Sequence, residues 1–172
     1  MTSHTKNGQI TLTDESEKEN ENGLRAYEAL GTFLTNDEWH PQPIEGKYAY
    51  RTFLTGDYGE LRCEARIRVE QEQFAFYIFL GMNVPADRRL VAAEFLTRAN
   101  YALPLGNFEM DFEDGEVRFK NSIDFEGETL TDALIHNTLY PATSVATRYF
   151  PGLLKVVFGD LNPRDVIREI ES

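Results

Sequence analysis

Residue types that carry chemistry are few in this sequence of 172 residues: one cysteine, Cys63, and three histidines, His4, His40 and His136. The histidines fall in a polar N-terminal stretch, a proline-rich connection and a helical pattern, at no spacing typical of a metal site, so no metal is expected. Cys63 sits among alternating residues, which suits a small buried thiol better than a nucleophile, and a lone cysteine forms no intramolecular disulfide. The acidic run around Asp114-Gly115 imitates the middle of a calcium loop. Its first and third positions would be Met110 and Phe112, which offer no side-chain oxygen. Gly-x-Ser-x-Gly and Gly-Lys-Ser/Thr motifs are absent, and the glycines are scattered at turns. Neighbouring carboxylates are common in so acidic a chain and do not by themselves mark a catalytic pair. The expectation is a protein with no catalytic, metal-ligating or cofactor-binding residues, and no enzyme.

What remains is binding. Hydrophobic residues make up 41% and aromatics 12% of the chain, enough for a packed core despite 27% charged residues. The net charge of −12 repels a phosphate backbone, so nucleic acid is not an expected partner, nor is an anionic membrane. The N-terminal stretch has no apolar run like that of a secretory signal. Nowhere are there the roughly eighteen consecutive apolar residues of a spanning helix. A cytoplasmic location is expected.

Residues 1–20 read as a disordered acidic tail, with Asp14, Glu15, Glu17, Lys18 and Glu19 in sequence, and 21–172 as one domain. From Glu21 to Thr35, Leu24, Tyr27, Leu30, Phe33 and Leu34 fall on one stripe of a helix. Trp39, His40, Pro41 and Pro43 mark an extended connection. Strands are expected over Lys47–Leu54 and Leu61–Val69, joined by a turn at Gly56-Asp-Tyr-Gly59. In the second of these, Arg62, Arg66 and Arg68 point away from Leu61, Cys63, Ala65 and Ile67.

The third strand, Phe74–Leu80, is apolar on both faces: Phe74, Phe76, Ile78 and Leu80 on one, Ala75, Tyr77 and Phe79 on the other. Helices suffice to cover one face of a five-stranded sheet, which would leave the second face partly apolar, unless helices or the N-terminal segment cover both faces. A second helix follows from Pro85 to Asn100. Asp114-Gly115 then predicts a two-residue hairpin turn, in which Phe112 faces Val117, Met110 faces Phe119 and Glu109 faces Lys120. Helical patterns cover Thr129–Asn137 and Ala142–Phe158, interrupted at Pro141 and again at Pro151 with a kink, and a short helix follows Asn162-Pro163.

The order helix, three strands, helix, two strands, long helix resembles the YbjN-like family of small bacterial proteins, labelled sensory transduction regulators. So does the stretch FLTRANYALPLGNFEMDFEDGEVRFKNSIDF, Phe95–Phe125, in which a helix ending in Arg-Ala-Asn leads through Leu-Gly to a strand, an acidic turn and a second strand. The resemblance covers about Asn22 to Glu171. It implies a fold similar to type III secretion chaperones and a non-enzymatic role in binding a protein or peptide, commonly as a homodimer. It carries over no functional residue.

The expected architecture is therefore α+β: a mostly antiparallel five-stranded sheet in the order α-β-β-β-α-β-β-α, with helices packed on it. The expected function is that of a chaperone-like or regulatory protein, homodimeric, that docks a hydrophobic segment on a sheet face or adds it to a strand edge. Ala75, Tyr77 and Phe79 are the candidate face, with Tyr101, Leu103 and Leu105 beside it if the following loop folds back. The competing expectation is a small-molecule sensor or an enzyme of unfamiliar type, with a pocket between sheet and helices lined by Trp39, His40 and the tyrosines.

Overall fold

The computed structural model describes residues 13–56 and 59–172 of the chain. Helix α1 (Thr13–Asn36) begins earlier than the apolar stripe alone predicts. The tail expected over residues 1–20 lies mostly outside the described residues, as do His4 and the Asp57-Tyr58 turn. β1 (Gln42–Pro43), β2 (Ala49–Gly56), β3 (Gly59–Arg68) and β4 (Gln73–Asn83) follow, then α2 (Arg89–Ala102), β5 (Asn107–Met110) and β6 (Glu116–Asp124). The chain ends in α3 (Asp132–Phe158) and α4 (Pro163–Glu171). The strands form one antiparallel sheet in the order β1-β2-β3-β4-β6-β5. It has six strands rather than the expected five, because the proline-bearing connection gives the short β1, paired at Gln42 with Arg51 and at Pro43 with Tyr50. Two residues, one of them proline, carry too little alternation to read as a strand.

Helices α1, α2 and α3 bury their apolar stripes against one face of this sheet, and α4 packs on α2 and α3. Leu30 and Leu34 of α1, Phe95 and Ala99 of α2, and Ile135, Leu139 and Leu153 of α3 meet Phe74, Phe76, Ile78 and Phe119 in one continuous core. Each large apolar side chain so enclosed contributes about 1.5–3 kcal/mol. The core fills the centre of the space between the layers, and an open cleft of about 560 Å³ remains at its margin, between Gly31 and Thr35 of α1 and Pro43 and Tyr50 of β1 and β2.

α3 runs unbroken through Pro141 and Pro151, where helix, kink and helix were expected. An interior proline costs about 3 kcal/mol. Here Ile135, Leu139, Ala142, Ala146, Tyr149, Leu153 and Val156 are buried along the whole helix, so continuous packing outweighs two local interruptions. The expected cap of α4 is present: the Asn162 side chain accepts a hydrogen bond from the Arg164 N–H, and Pro163 opens the helix.

The β5–β6 hairpin departs from the expected register by two residues. Met110 faces Val117, Phe108 faces Phe119 and Glu109 faces Arg118. The loop is longer than Asp114-Gly115: the Asp111 N–H donates to the Glu116 carbonyl, and the Asp111 and Asp114 carboxylates accept from the N–H groups of Glu113 and Glu116. A two-residue slip leaves every side chain on its own face, so the hydrophobic alternation could not decide between the two registers. The tertiary contact that does is at Gly115, whose carbonyl accepts from the Val84 N–H at 2.8 Å.

Gly115 has φ +82°, and a Cβ there would stand 2.2 Å from the Val84 carbonyl oxygen. Gly115→Ala should therefore lower stability by about 1–3 kcal/mol in urea unfolding; wild-type stability would show that the turn does not dock on Val84 in this way.

Candidate functional site

The face of the sheet turned away from the helices is built by the alternate residues of five strands. Across it run Arg51 and Phe53 of β2, Arg62, Glu64, Arg66 and Arg68 of β3, Ala75, Tyr77 and Phe79 of β4, Arg118 and Lys120 of β6, and Glu109 of β5, neighbours by register. The expected partly apolar surface takes a different form here. Phe79 is only 9% exposed and Ala75 5%, although no helix lies over them.

Their cover is made of cations. The Arg62 guanidinium lies 3.6 Å above the centre of the Phe79 ring. Those of Arg118 and Arg66 lie 4.8 and 5.7 Å from the centre of Tyr77. Guanidinium groups are weakly hydrated and flat, so they stack on rings while their alkyl stems shield the strand beneath. Carboxylates hold them there. Glu64, itself buried, pairs with Arg66 and lies 3.9 Å from Arg62, whose other nitrogen reaches Glu116 at 3.7 Å. Glu109 accepts from Arg118 at 2.8 Å and from Lys120. Partial burial works against ionisation of Glu109, but the hydrogen bonds from Lys120 and Arg118 outweigh it and hold its carboxyl below the usual range.

Arg51 and Arg68 are exposed and, among the described residues, have no carboxylate partner; Arg68 donates only to the Gln73 amide. Between Arg68 and Lys120 the surface dips into a groove of about 250 Å³ floored by Ala75 and Tyr77.

The expected docking residues divide into two places. Ala75, Tyr77 and Phe79 share the helix-free face. Leu103 instead packs at the core's margin, in a cleft of about 400 Å³ with Ser144, Val145 and Arg148 of α3, on the helical side. Tyr101 and Leu105, 95% and 56% exposed, flank it in sequence. Glu109, Arg118 and Lys120 join this face without being among the expected residues, although Arg118 and Lys120 alternate with Val117 and Phe119 just as the β3 arginines alternate with their apolar neighbours.

Other candidate groups have structural surroundings. Burial pushes the Cys63 thiol up to about 12, despite a backbone hydrogen bond at Leu54 and the charge of Arg62. Trp39 and Tyr140 both donate to the Asp37 carboxylate, at 3.0 and 2.7 Å, tying the end of α1 to α3, and His136 stacks on Tyr140. His40 is exposed. Among the described residues, no group of three or more His, Cys, Asp or Glu side chains could hold a metal ion, and no helix is long and apolar enough to cross a membrane.

Residues 27–155 match the model of the YbjN family, described as "Putative bacterial sensory transduction regulator". The chain belongs to the YbjN family. It matches no curated protein sequence. Solved structures similar to this YbjN-family chain include a chain of the ExsC–ExsE complex, at 15% identity and TM-score 0.48, covering 75% of this chain and 93% of that one. A chain of the HopA1–SchA chaperone–effector complex is similar at 15% identity and TM-score 0.46, over 76% of this chain and 94% of that one. YbjN from E. coli is similar at 9% identity and TM-score 0.45, over 69% and 91%.

The stability contributed by the Glu109 triad is complete above the unfolded carboxyl value near 4.5 and is lost as pH falls through the lower folded value. NMR titration should place the Glu109 midpoint below 4.5 in the wild type and higher in Lys120→Met; a midpoint that does not move between the two would remove Lys120 from the triad.

Proposed function

We propose that this YbjN-family protein is a non-enzymatic regulator or chaperone-like protein of the cytoplasm that works by binding another polypeptide on the helix-free face of its sheet. The observation that supports this reading is the surface around Tyr77 and Phe79. Arginine and aromatic side chains are concentrated there in contact with each other, and these residue types dominate protein interfaces. Guanidinium groups already stacked and paired are pre-oriented, so a partner meets an ordered surface and spends little rotamer entropy on it. The family's description as a regulator agrees with a binding role.

A specific feature favours self-association as a second reading. β1 ends opposite Arg51, so the outward N–H and C=O groups of Phe53 and Thr55 lie beyond its pairing. Among the described residues nothing bonds them. In an antiparallel two-fold pairing, Phe53 of one copy would face Thr55 of the next and each would exchange both bonds, which makes this segment complementary to itself.

Two experiments test these readings. A photoreactive phenylalanine analogue at Tyr77 should cross-link one partner protein in the native cell. The affinity of that partner, once purified, should fall at least about tenfold for Tyr77→Glu; an unchanged affinity would sink the face as a docking site. Sedimentation should show a dimer for the wild type and a monomer for Thr55→Pro, which cannot donate across the edge, with circular dichroism confirming the fold. A wild-type monomer would dispose of edge pairing.

A further inference from the structure

We infer that the helix-free face selects an acidic segment of its partner, seated in the groove over Ala75 and Tyr77; this rests on the docking reading above and adds to it the chemistry of what docks. The chain carries −12 overall, yet six of its seventeen Lys and Arg residues stand on this one face: Arg51, Arg62, Arg66, Arg68, Arg118 and Lys120. Five carboxylates share the strands with them, Glu60, Glu64, Glu109, Glu116 and Asp124, so the face is locally cationic on a strongly anionic body.

The charges are unevenly distributed within the face. Towards the β5–β6 turn, Glu109 and Glu116 satisfy Arg118, Lys120 and Arg62. Arg51, Glu64, Tyr77 and Lys120 stand in one row across the strands; Glu64 serves Arg66, while Arg51, on β2, and Arg68, farther from the turn, have no carboxylate. The groove opens on the side of that row away from the turn, flanked by Arg68 from β3 and by Lys120 and Ser122 from β6. The carboxylate at its end, Asp124, is held by the Gln73 amide at 3.0 Å and by the Glu126 N–H at 3.0 Å.

A carboxylate entering between Arg68 and Lys120 finds one cation without an anionic partner and the Tyr77 ring, half-buried, to receive an apolar or aromatic neighbour. A phosphate backbone fits the same face less well, because its evenly spaced charges would be brought against Glu64, Glu109 and Glu116. Attraction at the groove must act against repulsion by the rest of the molecule, so it is short-ranged and local.

The test uses the full chain and fluorescein-labelled peptides that alternate Tyr with Glu, with Gln or with Lys. The Glu-Tyr peptide should bind most tightly, weaken between about 50 and 300 mM salt, and lose about tenfold in affinity in the Arg51→Gln, Arg68→Gln double variant, which removes only exposed cations with no carboxylate partner. Equal or tighter binding of the Gln-Tyr or Lys-Tyr peptide overturns the acidic preference while leaving the docking reading to stand or fall on the Tyr77 cross-link. Unchanged affinity in the double variant, no Glu-Tyr binding up to about 1 mM, or tighter binding of a single-stranded oligonucleotide overturns it as well.

Discussion

The organisation of this molecule follows from one strand that needs cover on both sides. β4 carries Phe74, Phe76, Ile78 and Leu80 towards the helices and Ala75, Tyr77 and Phe79 away from them. The helices are all on one side of it, with α1, α2 and α3 against the sheet and α4 laid on α2 and α3. The second face is then closed by long side chains of its neighbours, Arg62 and Arg66 from β3 and Arg118 from β6, laid flat over the rings. That solution fixes the next requirement. Guanidinium groups over an apolar strand need anions close by, and Glu64 is drawn into an almost fully buried position between two arginines. A buried pair of this kind costs desolvation that its Coulomb energy alone does not reliably offset, so full hydrogen bonding and ring stacking have to complete the balance.

Much of this was legible in the sequence, and the losses have physical causes. The stripe through Leu30 and Leu34, the alternation through Leu61 to Ile67, and the cap at Asn162-Pro163 all describe local periodicity, which a chain states openly. The two faces of β4 were equally plain. Which strands flank β4 was not: β6 lies beside it with β5 outside, and no local pattern encodes that order. For this reason the alternation of β3 shows its arginines pointing away from the core side, whereas nothing local brings Arg118, Lys120 and Glu109 to the face of Tyr77 and Phe79.

The hairpin and the long helix show two other kinds of loss. Alternation with a period of two is blind to a slip of two, so Asp114-Gly115 suggested a tight turn where docking on Val84 selects a longer one. In α3, local rules for proline were correct about cost and silent about what could outweigh it. Both outcomes were decided by contacts distant in sequence, Gly115 with Val84 and the α3 stripe with the sheet. Tyr101 and Leu105 belong with these: no local pattern tells that the end of α2 and the loop after it run beside α3 and not back over the helix-free face.

The two borders of the sheet are unlike. On β5, the Asn100 carboxamide both donates to the Phe108 carbonyl and accepts from its N–H, at 3.0 and 2.7 Å, standing in for a strand that is not there. Two residues past β5, the Phe112 carbonyl is taken by Arg89 at 2.7 Å. On β2, Phe53 and Thr55 have no such stand-in. A sheet that can be extended at one border and not at the other does not propagate: one added strand exhausts it, and any strand pairing between copies would end at a closed pair instead of running on into a fibre.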